Sequence, residues 1–286
     1  MSTWREVEPP VIGRLSVAGW ARAVLRGFGV LIVVYTGLGL KLGTQLLARM
    51  LRGVAPDMSA RLAKFAPKWT TIAARIVFWV MGIGYRTTGR AMQARGAVVA
   101  NHSSWLDIFA LSACQQVTFV SKDDVKRWPV IGRVATLFGT VFIRRDPKEA
   151  RAQQTLFEER IHAGDHLVFF PEGTSSDGLR VLPFKSTLFA AFFTQDLKDL
   201  MQIQPLSVIY HAPKGGNPSF YGFWGHTKFA PHFLQVLGAA KQGSVEIIFH
   251  DPVKVADFAS RKDLCAYCEM KIRGGFDAAT AERLPA

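Results

Sequence analysis

The stretch GAVVANHSSWLDIFAL, Gly96 to Leu111, sets an apolar run, a polar cluster and a second apolar run end to end. Ala97–Ala100 is short and partly β-branched, the pattern of a buried strand, while Ser104–Cys114 has helical length and spacing. Strand, polar turn and helix form the repeating unit of an α/β domain, whose sites open beyond the carboxyl ends of the strands. The same texture continues downstream. Val117–Val120, Thr140–Ile143, His166–Phe170, Ile203–Tyr210 and Val245–His250 read as strands, and Lys148–His162, Ser186–Leu200 and Val255–Arg273 as helices. This alternation predicts an α/β fold with a mostly parallel central sheet flanked by helices. No repeat or low-complexity segment interrupts it, and Gly274–Ala286 reads as a loose tail.

Upstream the texture differs. Gly27–Leu40 (GFGVLIVVYTGLGL) carries no charge and is bounded by Arg26 and Lys41. As a helix at ~1.5 Å per residue it covers about 21 Å, short of a hydrocarbon core of roughly 30 Å. A second apolar run, Ile76–Tyr85, follows Arg75. Between the two lie Arg49, Arg52, Arg61, Lys64 and Lys68. Apolar runs with basic flanks predict a membrane-associated helical pair whose cations sit at the headgroups; two ordinary buried helices are the alternative. The change of texture near Thr87–Arg95 divides the chain into a helical region, residues 1–88, and an α/β domain, residues 89–286. The polar start, Met1–Pro10, lacks the basic opening of a secretory signal, so it is expected to be retained.

Composition narrows the function. The 286 residues are 49% hydrophobic, with 21 Phe, which excludes a disordered chain. The 3 cysteines exclude a disulfide scaffold. A net charge of +13 favours an acidic partner: nucleic acid, an anionic membrane face or an acidic carrier protein. A mean hydropathy of +0.14 alongside that charge points to the membrane surface first. Nothing resembles a nucleic-acid module, and the basic residues cluster beside the apolar runs.

His102 and Asp107 are five apart. On one continuous helix they would point about 140° apart, so cooperation requires His102 to lie in the loop before the helix. Ser104-Trp105-Leu106-Asp107 matches a capping box with Ser104 as N-cap, which leaves His102 just outside. A carboxylate bonded to one imidazole nitrogen fixes the tautomer and frees the other as a general base. The plainer alternative is a capping Asp107 beside an ordinary loop histidine. A second polar loop follows the strand at His166–Phe170: Pro171, Glu172, Gly173, Thr174, Ser175 and Ser176 combine a tight turn with acceptors and hydroxyls. Its backbone amides suit an anion or a developing oxyanion, and a solvated turn is the alternative.

Together these stretches resemble the glycerolipid acyltransferase family, typified by 1-acylglycerol-3-phosphate acyltransferase. The N-H-x-x-x-x-D block is Asn101–Asp107. The G-x-x-F-I-x-R block is Gly139–Arg145, and the F-P-E-G-T-R-S block is Phe170–Ser176, followed by Phe184-Lys185. A fourth block centres on Pro205. The resemblance implies an enzyme that moves a fatty acyl group from an acyl-carrier-protein (acyl-ACP) or coenzyme A thioester to a lysolipid hydroxyl at an anionic membrane surface. It assigns His102 as general base and Asp107 as its partner. Acceptor contacts would come from Arg144, Arg145, Glu172, Gly173, Thr174, Ser175 and Lys185. It implies neither a metal nor a cofactor, and places the reaction on the cytoplasmic face of the bacterial inner membrane, the chain monotopic or single-pass.

One departure bears on the acceptor. The third block usually has Arg where this chain has Ser175, and a guanidinium is the natural partner of a phosphate. Either Arg144, Arg145, Arg180 or Lys185 substitutes, or the acceptor lacks a phosphate monoester. The run Phe170–Phe193 resembles the lyso-ornithine lipid acyltransferase subgroup, whose acceptor has a carboxylate and an amine instead. Lyso-ornithine lipid is therefore the expected acceptor, with lysophosphatidate as the alternative. A non-catalytic basic binding protein, for membrane or nucleic acid, is the more distant one. Lys122, Lys126 and Arg127 are candidates for steering an acidic carrier protein. Cys265 and Cys268 read as two thiols one turn apart rather than a metal site. Asn217–His232 reads as an aromatic loop over the sheet, and His162, His166, His211 and His250 show no partner spacing.

Overall fold

The computed structural model describes residues 4–122, 132, 136, 139–143 and 150–281. Its centre is a sheet ordered β1-β7-β6-β2-β5-β3-β4, with β8 paired to β6. The strands are β1 (Gly84–Thr88), β2 (Gly96–Ala100), β3 (Thr118–Lys122), β4 (Val141–Ile143), β5 (His166–Phe169), β6 (Gln202–His211), β7 (Ser244–Phe249) and β8 (Val253–Lys254). Neighbours are parallel except that β7 and β8 run antiparallel to β6. The mostly parallel sheet matches the expectation. β1 differs: the second apolar run was read as helix through Tyr85. The helix stops instead at Gly82, which takes the left-handed conformation (φ 76°), and the chain then enters the sheet beside β7.

Period-two alternation builds a core on each face. In β2, Val98 and Ala100 face one layer while Ala97 and Val99 face the other. β6 does the same with Leu206, Val208 and Tyr210 against Ile203 and Ile209. Because both faces are covered, β2 is buried along its whole length, as a central parallel strand should be. The first layer holds α1 (Val17–Leu51), α3 (Lys68–Met81), α4 (Asp107–Cys114) and, further on, Phe229–Gly238. The second holds Ala150–His162, the 3₁₀ turn Ser186–Phe193 and the C-terminal helix Arg261–Thr280. The expected helices Ser186–Leu200 and Val255–Arg273 are each broken. The first is a 3₁₀ turn plus Gln195–Lys198. In the second, Ser260 interrupts the run and caps a new helix, accepting from the Lys262 and Asp263 N–H groups.

The helical region is longer than its charge-free core suggested. α1 has 35 residues, about 52 Å at ~1.5 Å each. The chain returns through α2 (Pro56–Phe65) and α3, so the expected pair is α1 and α3 with a short helix between. Small residues let these two approach: a Cβ on Gly37 would lie 2.6 Å from that of Ala73. By length and composition α1 suffices to cross a membrane. Its outward face stays apolar. Of the large hydrophobic side chains left exposed among the described residues, all but Leu179, Leu200 and Met270 lie before Gly82.

The tail is not loose as far as Thr280. The last helix continues through Gly274 and Gly275 and buries Ile272 and Phe276. Gly275 permits this. A Cβ there would sit 2.6 Å from His250 Cε1 and 2.7 Å from Ser207 Oγ, so only a bare backbone lets the helix settle on the sheet. Tertiary packing outweighs the poor helix propensity of the Gly-Gly pair. Gly275→Ala is therefore expected to destabilise the protein by about 1–3 kcal/mol, seen as a melting temperature several degrees lower.

Candidate active site

The polar cluster after β2 sits at the carboxyl edge of the sheet. Asn101 continues the strand pairing with its side chain: its amide donates to the Val208 carbonyl at 2.9 Å, and its oxygen accepts from the Val208 N–H at 2.8 Å. The chain then turns, and His102 lies in that turn as expected. The regular helix begins at Asp107 with Leu106 at its N-cap, not at Ser104. The Ser104 hydroxyl accepts from the Leu106 N–H at 3.3 Å, making a turn ahead of the helix instead of the expected cap.

Asp107 is fully buried and saturated. Its Oδ2 accepts from His102 Nδ1 at 2.6 Å and from the Ser103 and Ser104 N–H groups at 2.9 and 3.1 Å. Its Oδ1 accepts from the Tyr210 hydroxyl at 2.7 Å. An ionised carboxylate accepts only, so the shared proton belongs to Nδ1, and His102 Nε2 keeps its lone pair. The imidazole stacks on Phe170, with centroids 4.3 Å apart, and remains 27% exposed. One nitrogen faces a buried carboxylate while the ring keeps access to solvent.

The second polar loop clasps the same histidine. The His102 N–H donates to Glu172 Oε1 at 3.0 Å, and the His102 carbonyl accepts from the Ser176 N–H at 2.9 Å. Both backbone groups of His102 are thus held by the loop that follows β5. Glu172 is 2% exposed. Burial pushes its carboxyl well above the usual carboxylate range, partly opposed by the backbone N–H groups of His102 and Leu182. Glu172 is positioned to hold the main chain of His102, whereas the sequence reading gave it to the acceptor.

The other expected residues gather at the same edge. Gly173 has φ 71°, and Lys185 lies over it: a Cβ on Gly173 would meet the Lys185 amine at 3.0 Å. The Thr174 hydroxyl accepts from the Trp4 N–H at 3.4 Å. The Ser175 hydroxyl donates to the Phe223 carbonyl and so turns to the aromatic loop. Arg180 pairs with Asp177 at 3.0 Å. Arg144, Arg145, Lys126 and Arg127 lie outside the described residues. Among those described, no group of three or more His, Cys, Asp or Glu side chains is placed to hold a metal ion. Cys265 and Cys268 are both buried in the core.

Sequence reading missed partners that are distant along the chain. Tyr210 is 103 residues from Asp107, and its only local mark is its place as a core-facing residue near the end of a buried strand. Of the four histidines without partner spacing in the sequence, three have long-range partners: His166 bonds the Ala94 carbonyl, His211 pairs with Glu246, and His250 bonds Ser207. The aromatic loop does cover the sheet, burying Tyr221, Trp224 and His232. His232 Nδ1 accepts from Trp105 Nε1 at 3.0 Å. Burial lowers its pKa to about 4, against the pull of the Phe220 and Gly222 carbonyls. An unfolded histidine takes up its proton near pH 6.5. This group's stabilising contribution is therefore complete above that pH and is lost as pH falls towards 4. The melting temperature is expected to drop between pH 7 and pH 4.5, and His232→Asn, which keeps an acceptor for Trp105, should flatten that slope.

Comparison with known proteins gives a consistent picture. A family model described as Acyltransferase matches residues 66–208. The chain is 52% identical over 272 residues to the lyso-ornithine lipid O-acyltransferase of Rhodobacter capsulatus, covering 95% of this chain and 96% of that one. It is 44% identical over 93 residues to the 1-acyl-sn-glycerol-3-phosphate acyltransferase of Neisseria gonorrhoeae, covering 32% and 36% of the two chains. The crystal structure of PlsC, the 1-acyl-sn-glycerophosphate (LPA) acyltransferase of Thermotoga maritima, shares the fold. Its TM-score is 0.58 at 19% identity, over 90% of this chain and 98% of that one.

Proposed function

The chain belongs to the acyltransferase family, and from that premise we propose that it moves a fatty acyl group from an acyl-ACP thioester to the hydroxyl of lyso-ornithine lipid, forming ornithine lipid. The chain is a lysolipid acyltransferase, with a lysolipid acceptor and an acyl donor. The observation that carries the chemistry is the contact of 2.6 Å between His102 Nδ1 and a fully buried Asp107. His102 Nε2 takes the proton of the acceptor hydroxyl, and the oxygen attacks the thioester carbonyl. Asp107 stabilises the imidazolium that forms. Collapse of the tetrahedral intermediate breaks the C–S bond, and the departing thiolate recovers the proton from Nε2. The Gly173 and Ser176 N–H groups are already bonded to the Phe170 and His102 carbonyls, so an oxyanion held by this loop would take its hydrogen bonds from the remaining backbone N–H groups of residues 172–176.

The acceptor assignment draws on the relative at 52% identity and on Ser175. Where the family usually has a guanidinium for a phosphate, this chain has a hydroxyl already bonded to Phe223. A zwitterionic headgroup does not require a guanidinium at that position, because its carboxylate asks for fewer charge-assisted bonds than a phosphate monoester. Lysophosphatidate is the second reading, favoured by the shorter match to the Neisseria enzyme. The purified enzyme, given lyso-ornithine lipid and lysophosphatidate side by side with acyl-ACP or acyl-CoA, separates them. Preference for lyso-ornithine lipid and acyl-ACP is expected, and a preference for lysophosphatidate overturns the assignment.

The outward apolar face of α1 to α3 supports a seat on the membrane. A monomeric soluble protein seldom exposes so large a patch. On this reading residues 1–88 are the membrane-associated region and 89–286 the acyltransferase domain, working at the cytoplasmic face of the bacterial inner membrane. On the same reading Gly173, Thr174, Ser175 and Lys185 are the described residues assigned to the acceptor, Glu172 supports His102 instead, and Arg144 and Arg145 are assigned to the acceptor from the sequence alone.

A further inference from the structure

The segment ahead of α1 does not trail into solvent. Trp4 is only 8% exposed and packs with Leu182 and Trp224 in a small apolar cluster apart from the two main cores. The Trp224 indole donates to the Val7 carbonyl at 2.8 Å. Gly225 (φ 60°) comes close to Pro9, within 3.3 Å of where its Cβ would be. The Trp4 N–H reaches the Thr174 hydroxyl at 3.4 Å. The Trp4 indole N–H has no partner among the described residues, so the ring is held through its faces. One of those faces carries the Arg180 guanidinium, 5.4 Å from the ring centroid. The same guanidinium is paired with Asp177, whose side chain is 1% exposed, while Arg180 itself is 48% exposed.

Arg180 is therefore a half-exposed cation held on two sides, five residues after the position where the family's loop usually has its arginine. Ordering a long side chain before a ligand arrives removes part of the entropy lost on binding. The loop that carries Arg180 is the one whose Glu172 and Ser176 grip His102.

We propose that Trp4, on the N-terminal arm, is a positioning residue that presents Arg180 as the group binding the anionic part of the acceptor headgroup. This rests on the reading of the 172–180 loop as the acceptor site. The arm leads directly into α1, so the segment that carries the apolar helix also sets the acceptor loop.

The test uses the full-length enzyme in vesicles with lyso-ornithine lipid as acceptor and acyl-ACP as donor. Arg180→Gln is expected to raise KM for the acceptor by about tenfold or more, the scale of one lost charge-assisted hydrogen bond. Trp4→Ala should raise the same KM by several-fold, with KM for the donor changed less than about twofold. Trp4→Phe, which keeps a ring under the guanidinium, should restore most of the loss. In the double variant Trp4→Ala/Arg180→Gln the effects should not add, since Trp4 acts through Arg180. The proposal is overturned if the two effects multiply, if donor and acceptor KM rise together, or if Trp4→Ala lowers only the melting temperature. Failure of the underlying reading shows differently: the wild type would not acylate lyso-ornithine lipid, or His102→Ala would remain active.

Discussion

His102→Ala is expected to lower kcat/KM for lysolipid acylation by about 10²–10⁴-fold while leaving the protein folded. General-base assistance is worth about 10²–10⁴ in rate, and no other described side chain lies where His102 Nε2 does to replace it. The fold should tolerate the change because what pins this segment is main chain: the His102 N–H on Glu172 and the His102 carbonyl on the Ser176 N–H survive the substitution. The ring is partly exposed, and its loss removes the stack on Phe170 and one bond to Asp107, whose carboxylate keeps the Ser103 and Ser104 N–H groups and the Tyr210 hydroxyl. Side-by-side rate assays and thermal melts decide the matter. A variant within tenfold of wild type would remove His102 from the chemistry, and a variant that no longer melts cooperatively would make it structural.

Asp107→Asn should cost about 10²–10⁴ in kcat, through charge rather than shape. The amide can keep the geometry in one orientation only. Oδ2 faces three donors, the His102 Nδ1–H and two backbone N–H groups, so the NH₂ must occupy the Oδ1 position. There it meets Tyr210, whose hydroxyl can reverse from donor to acceptor. The tautomer of His102 survives, but the imidazolium formed during proton transfer loses its counter-charge. KM should therefore change little while kcat falls. Asp107→Ala is expected to lose as much activity and also stability, because it strands two backbone N–H groups, the Nδ1–H and a tyrosine hydroxyl in a buried pocket. A kcat for Asp107→Asn close to wild type would show that the carboxylate only holds the turn ahead of the helix.

The two clusters of polar residues were legible as separate loops because each interrupts an apolar run, and an apolar run followed by polar and glycine residues is a local pattern. Their relation was not. His102 and Glu172 are 70 residues apart, and the bond between them exists because β2 and β5 are parallel neighbours, with Val98 opposite Val168. That register places both loops at the same edge of the sheet. The role of Glu172 inverted for the same reason. The family resemblance assigned it to the acceptor, whereas burial at 2% makes it a support for the histidine backbone. β1 escaped notice because its residues are polar and mostly exposed, and an edge strand is recognised by its partner rather than by its own pattern.

What the amino-acid order determined by itself was the α/β class, the two polar loops that hold His102 and Glu172, and the apolar runs with basic flanks in residues 1–88, since each rests on patterns local to the chain. Tertiary structure alone decided that Tyr210 completes the carboxylate's bonding, that Gly275 carries the last helix onto the sheet, and that Trp4 returns to the loop after β5. These are contacts between residues far apart in the chain. Their energy comes from burial and from saturating buried polar groups, and neither quantity exists until the layers have closed on the sheet.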